Sequence, residues 1–207
     1  MLSVKLVRFS ALCGIFAGLF IAIPGSIEGF TGKMSVTSFI LGLSPALGMP
    51  LFIALYQRHS DSAGGFGAAA YAVNLIGLGL FGGAAFTLDM ALIYLSKPVL
   101  NHLKHGPTYV ALLGSAAVFA IGAALFGVSL LRTRVHPRIP AWGYTVILPL
   151  FAASASLPAT PFKSVLHLLA GVTLIWLAAS LWSASSLAIP HEVPAPAYQP
   201  GQAGTHS

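Results

Sequence analysis

A carboxylate or imidazole inside a long apolar run is costly to place in lipid, so each such group marks a position where chemistry can be done. Asp89 is of this kind, about twenty residues into the apolar stretch that begins near Phe66. His167 lies near the start of another stretch, a turn beyond Lys163, and Glu28 follows the first one. An aspartate and a histidine meeting at one depth suit proton relay or metal binding, and Glu28, expected on the same side, is placed to join them. The plainer reading of Asp89 is a partly wetted carboxylate at a helix end. Asn74, deep in the same stretch, reads as an interhelical hydrogen-bond donor before a substrate ligand. Asp89, Asn74, His167 and Glu28 are the candidate intramembrane polar site, and their meeting requires a tertiary arrangement that spacing does not dictate.

The other reactive residue types read as structural. His102 and His105 flank Lys104 between Pro98 and Pro107, with no carboxylate or cysteine near them in sequence to complete a metal site, and are expected in a solvated loop. His59 and His136 fall at the ends of apolar stretches beside arginines. A haem held by two histidines needs both well inside the stretches, and only His167 is inside. Cys13 is the single cysteine, which excludes an intrachain disulfide and a CxxC pair, and it reads as a small buried thiol. No GxxxxGK[ST], HExxH or GxSxG pattern occurs, and four acidic residues leave little room for a paired-carboxylate or divalent-metal enzyme. No cofactor and no metal site are expected, and catalysis is disfavoured.

The elements that must position these groups are apolar and long. The 207 residues are 57% hydrophobic and only 7% charged, where a water-facing domain carries about 25% charged residues. Six stretches emerge, near 9–26, 36–56, 66–95, 109–131, 141–157 and 165–187, each roughly long enough to cross about 30 Å of hydrocarbon. Pro45 and Pro50 predict a kinked second helix, and Pro149 interrupts the fifth. The expected fold is all-α: a polytopic membrane bundle of about six transmembrane helices over residues 1–189. A disordered, proline-rich cytoplasmic tail over 190–207 follows, too poor in large aliphatics to order itself. The first stretch imitates a signal peptide after Lys5 and Arg8, but it ends Ile-Pro-Gly-Ser without an A-x-A-like site, and reads as a retained helix.

The net charge of +6 does not point to nucleic acid, because the basic residues sit singly or in small groups at the ends of apolar runs. Lys5, Arg8, Arg58, Arg132, Arg134 and Arg138 fall on one side of a six-span chain; Lys33, Lys97, Lys104 and Lys163 fall on the other. The arginine-bearing side is expected to be cytoplasmic, with both termini there. Trp142, Tyr144 and Trp182 fit an interfacial aromatic belt. Helices in lipid associate by close packing of small residues. Gly14/Gly18 and Gly79/Gly83 form GxxxG pairs, and Ala116, Ala120 and Ala123/Ala124 line a flat stripe on the fourth helix.

The segment Leu125-Phe-Gly-Val-Ser-Leu-Leu-Arg-Thr-Arg-Val-His-Pro-Arg-Ile-Pro-Ala-Trp-Gly143 resembles one found in uncharacterised six-helix bacterial integral membrane proteins, where a helix ends in a basic turn with Pro-Arg and a small residue, Trp and Gly open the next. The similarity covers about the last 80 residues. It implies a bacterial cytoplasmic (inner) membrane and six helices, and no activity. Scarce polar groups and small-residue faces favour a non-catalytic accessory or scaffolding subunit that packs against other membrane proteins among membrane lipids. The alternatives are a small-solute or proton-coupled transporter using Asp89, Asn74 and His167, and a membrane-embedded redox or lipid enzyme.

Overall fold

The computed structural model describes residues 3–32, 34–90, 94–157 and 160–187. The expected tail at 190–207 and Lys33, expected on the side opposite the arginines, lie outside the described residues. Helices are α1 (Val4–Thr31), α2 (Ser35–Met90), α3 (Lys97–Lys104), α4 (Pro107–Thr133), α5 (Arg138–Ala153, continued by a 3-10 turn at Ser154–Ser156) and α6 (Pro161–Leu187); no strand occurs among the described residues.

Five helices are long and apolar enough to cross a membrane. At about 1.5 Å per residue the 56 residues of α2 would run about 84 Å, far beyond a bilayer core of about 30 Å. The chain solves this by reversing at Gly64, whose φ of 56° and ψ of −161° lie where a side chain is strained. The two arms of α2 return antiparallel: Tyr56 stacks on Tyr71 with centroids 4.2 Å apart, and a Cβ on Gly82 would stand 2.7 Å from Pro45. Six membrane-length segments result. Pro45 and Pro50 lie inside the helix, and within α2 the backbone leaves helical φ/ψ at Gly64. The third connection is not wholly loop either, since α3 occupies it, with His102 and His105 exposed as expected.

The segments close into a ring: α1 packs on α2 and α6, α2 on α4, α4 on α5, and α5 on α6. Lys5, Arg8, Arg58, Arg132, Arg134 and Arg138 gather at the end of the ring that holds Gly64, where Arg8 lies over Trp182 and Arg132 over Phe66. Small residues set the closest approaches. A Cβ on Gly77 would meet the Phe119 backbone at 2.6 Å, and one on Gly122 the Asn74 backbone at the same distance, so α2 and α4 nearly touch there. Gly14 and Gly18 pack inward on α2 and α6, whereas Gly83 faces open space and Gly79 meets only the tip of Met49. On α4 the tight positions are Gly122, against α2, and Gly127, against Thr145 of α5, rather than the predicted alanine stripe. Ala123 is fully buried, but Ala116 and Ala120 border a cavity.

Candidate functional site

Beyond the Gly77–Gly122 crossing, toward the end away from Gly64, the ring encloses a cavity of about 310 Å³. Phe52 and Phe81 from the two arms of α2, Phe119 from α4, Phe151 from α5 and Leu174 from α6 wall it. Its ionisable groups are Glu28, Asp89, Lys163 and His167, contributed by α1, α2 and α6. Three of the four predicted site residues therefore share one chamber, and the fourth, Asn74, is not among its lining.

Glu28 is 6% exposed near the end of α1, and its Oε1 accepts from Thr37 Oγ1 at 2.8 Å and Ser38 Oγ at 3.0 Å. Both hydroxyls lie in the first turn of α2, so the carboxylate fastens that turn to α1 while facing the chamber. Asp89 precedes the last residue of α2, at the helix end as expected, and is likewise a buried group, 6% exposed. His167 lies against Gly25 of α1, a position with no room for a side chain. Its Nδ1 stands 2.7 Å from the Lys163 carbonyl, which only accepts, so Nδ1 donates. The ring meets Phe151 edge-on at 4.9 Å.

Lys163 is the site residue that sequence reasoning treated only as an orienting charge. The signal was present: Lys163 and His167 are four apart and share a helix face. Its Nζ donates to the Ala155 carbonyl at 3.2 Å and the Leu157 carbonyl at 3.1 Å, where the end of α5 leaves backbone acceptors unspent and favours a cation. Among the described residues no group of three His, Cys, Asp or Glu is placed to hold a metal ion. The chemistry available to the chamber is binding of a small molecule with a charged group, and proton exchange with carboxylate or imidazole.

Asn74 and Tyr144 lie on the Gly64 side of the chamber. Tyr144 Oη donates to Asn74 Oδ1 at 2.8 Å, and neither side chain has measurable exposure. Asn74 thus accepts across helices in place of the expected donation, and its Nδ2 has no hydrogen-bond partner. Trp142 is exposed as an interfacial anchor should be, but Tyr144 belongs to the core, packed on Phe52 and Phe126 at 5.3 and 5.9 Å. Sequence could not separate them, because two residues along a helix turn a side chain through about 200°.

A second polar cluster was missed. His59 and His136, expected at the boundary beside arginines, are 1% and 5% exposed, with rings 5.5 Å apart. Both point at the Leu55 carbonyl, His59 Nδ1 at 2.7 Å and His136 Nε2 at 3.3 Å, and His59 Nε2 reaches Ser129 Oγ at 3.3 Å. His136 sits in the connection between α4 and α5. Burial, the nearby His59 ring and the Arg58 charge hold it down to about 4, against the pull of the Leu55 carbonyl, so it is neutral at physiological pH.

Fold and site together define a multi-pass helical membrane protein with an internal chamber. No family model, no curated protein and no solved structure matches the chain.

Proposed function

We propose that the chain is a small-solute binding and transport protein of the membrane, with the chamber as its solute site. Glu28, Asp89 and His167 are its recognition groups, Lys163 sets their charge balance, and Asn74 holds the helices together outside it. The supporting observation is the convergence of ionisable residues from α1, α2 and α6 on one cavity of about 310 Å³, at the lower end of the size range for small-molecule sites. Buried ionisable groups in a membrane protein mark solute and proton pathways more often than they stabilise a bundle. In this reading the arginine-bearing Gly64 end faces the cytoplasm of a bacterial inner membrane, and the chamber lies toward the opposite face.

The test is a thermal-unfolding scan of the protein in lipid nanodiscs against small amines, carboxylates and uncharged solutes. At least one class should stabilise saturably, and Asp89→Asn and the chamber-filling Ala120→Trp should abolish the response while the protein stays monodisperse. Responses that survive a folded Ala120→Trp would place binding elsewhere and sink the reading.

The accessory-subunit reading keeps one observation in its favour. The Gly79/Gly83 face of α2 is uncovered, with Ile76 60% and Leu80 51% exposed on the same stripe, as a surface for another transmembrane helix would be.

A further inference from the structure

The chamber is polar at one end and apolar along its length. Lys163 lies at one end and Leu174 toward the other, about 16 Å apart along α6 at about 1.5 Å per residue. On the second arm of α2 the same order runs from Asp89 down to Phe81 and Leu78, and on α1 from Glu28 to Ile21. The polar end presents two acidic side chains, Glu28 and Asp89, beside one lysine, Lys163, and a pair of carboxyl groups is complementary to a cationic head. Phe52, Phe81, Phe119 and Phe151 line the walls, and aromatic faces attract cations as well as apolar chains. At about 30 Å³ per water the space is worth about ten waters, so the occupant is small.

The outer wall also bears on the class. Leu112, Leu113, Ala116 and Ala117 of α4 line the chamber, while Val110 and Leu113 are 70% and 43% exposed, so on this side a single helix separates the chamber from the surroundings. An amphiphile in the adjoining leaflet already lies with its head at the interface and its chain toward the midplane, as the chamber is arranged.

We infer that the solute is a small amphipathic monocation, an ammonium head on a short apolar chain, with the head between Glu28 and Asp89 and the chain running toward Phe119 and Leu174. This rests on the solute-binding reading above and narrows it to one chemical class.

Decylamine, decanol and decanoate share a chain and differ in head charge, and tetramethylammonium supplies a charged head without the chain. Their affinities are measured in phosphatidylcholine nanodiscs, with protein-free nanodiscs subtracted to remove partition into lipid. The wild type should bind decylamine saturably and at least tenfold more tightly than decanol, decanoate or tetramethylammonium. Glu28→Gln and Asp89→Asn should each weaken decylamine at least tenfold and leave decanol unchanged. Equal affinity for the three chain-matched probes overturns the cation assignment, even if neither variant folds. If those equal affinities are lost in Ala120→Trp, the chamber reading survives without the cation. Decylamine binding that persists in a folded Ala120→Trp overturns both.

Discussion

The half of the bundle beside Gly64 and the half beyond the Gly77–Gly122 crossing are built from the same helices, and they pack differently. Beside Gly64 the interior is filled: Phe126 touches Phe52, His59, Tyr71 and Tyr144 with centroids 5.7–6.2 Å apart, and Tyr56 and Tyr71 stack. Its buried polar groups are neutral, and most find hydrogen-bond partners across or within helices. In the other half the ring stays open around a chamber, lined by two carboxyl groups, a lysine and an imidazole. The cause is where bulk sits relative to the crossing. Glycines at 77 and 122 let α2 and α4 nearly touch, and large rings fill the space on the Gly64 side. On the other side small residues make up part of the chamber wall, Ala116, Ala117 and Ala120 of α4 and Ala84 and Ala85 of α2, and they leave a gap that Phe81, Phe119 and Phe151 do not fill. On the proposed reading one half supplies packing and the other recognition, in keeping with the cost of burying charge in a tightly packed core.

That contrast can be broken most directly by volume changes. Phe126→Ala removes a side chain with no exposure and should cost about 3–5 kcal/mol, seen as a collapse of the unfolding midpoint in detergent. Ala120→Leu, which adds volume beside the chamber, should be neutral or stabilising, against the destabilisation that a continuous small-residue packing stripe would imply. A midpoint lowered by Ala120→Leu as much as by Phe126→Ala would mean that the two halves are equally filled.

A smaller effect is expected from acid. His136 binds its proton only near pH 4 in the folded protein, against about 6.5 when exposed, so between those values the unfolded chain holds more protons than the native one. Stability is therefore fully present above about pH 6.5 and declines as pH falls toward 4, by about 3 kcal/mol at most from this group. His136→Gln should flatten that part of the unfolding profile; an unchanged slope would show that acid lability arises elsewhere.

The smallest change concerns the boundary between the halves. Tyr144→Phe leaves Asn74 Oδ1 buried without the Tyr144 donor, which should cost about 1–3 kcal/mol. Combining it with Asn74→Leu should recover part of that loss, since both partners are then apolar. A double variant no better than the sum of the two single ones would mean that the hydrogen bond carries little coupling.

Composition and hydropathy were enough for the class, the number of membrane-length segments and the gathering of six basic residues at one end, because each depends on local sums along the chain. They also marked Glu28, Asp89 and His167, since a charge or imidazole stands out against an apolar background wherever the helix turns. Which way each helix turns was a different matter. The long helices are apolar nearly all round, and lipid accepts an apolar face as readily as a protein interior does, so periodicity carries no stripe to separate inside from outside. Only packing decided that Tyr144 faces the core while Trp142 faces out, that Gly122 rather than Ala120 makes the close contact, and that His59 and His136 share one carbonyl. It also decided that Lys163, held by the Ala155 and Leu157 carbonyls, joins the chamber, and that Asn74, packed against Gly122 at the α2–α4 crossing, does not.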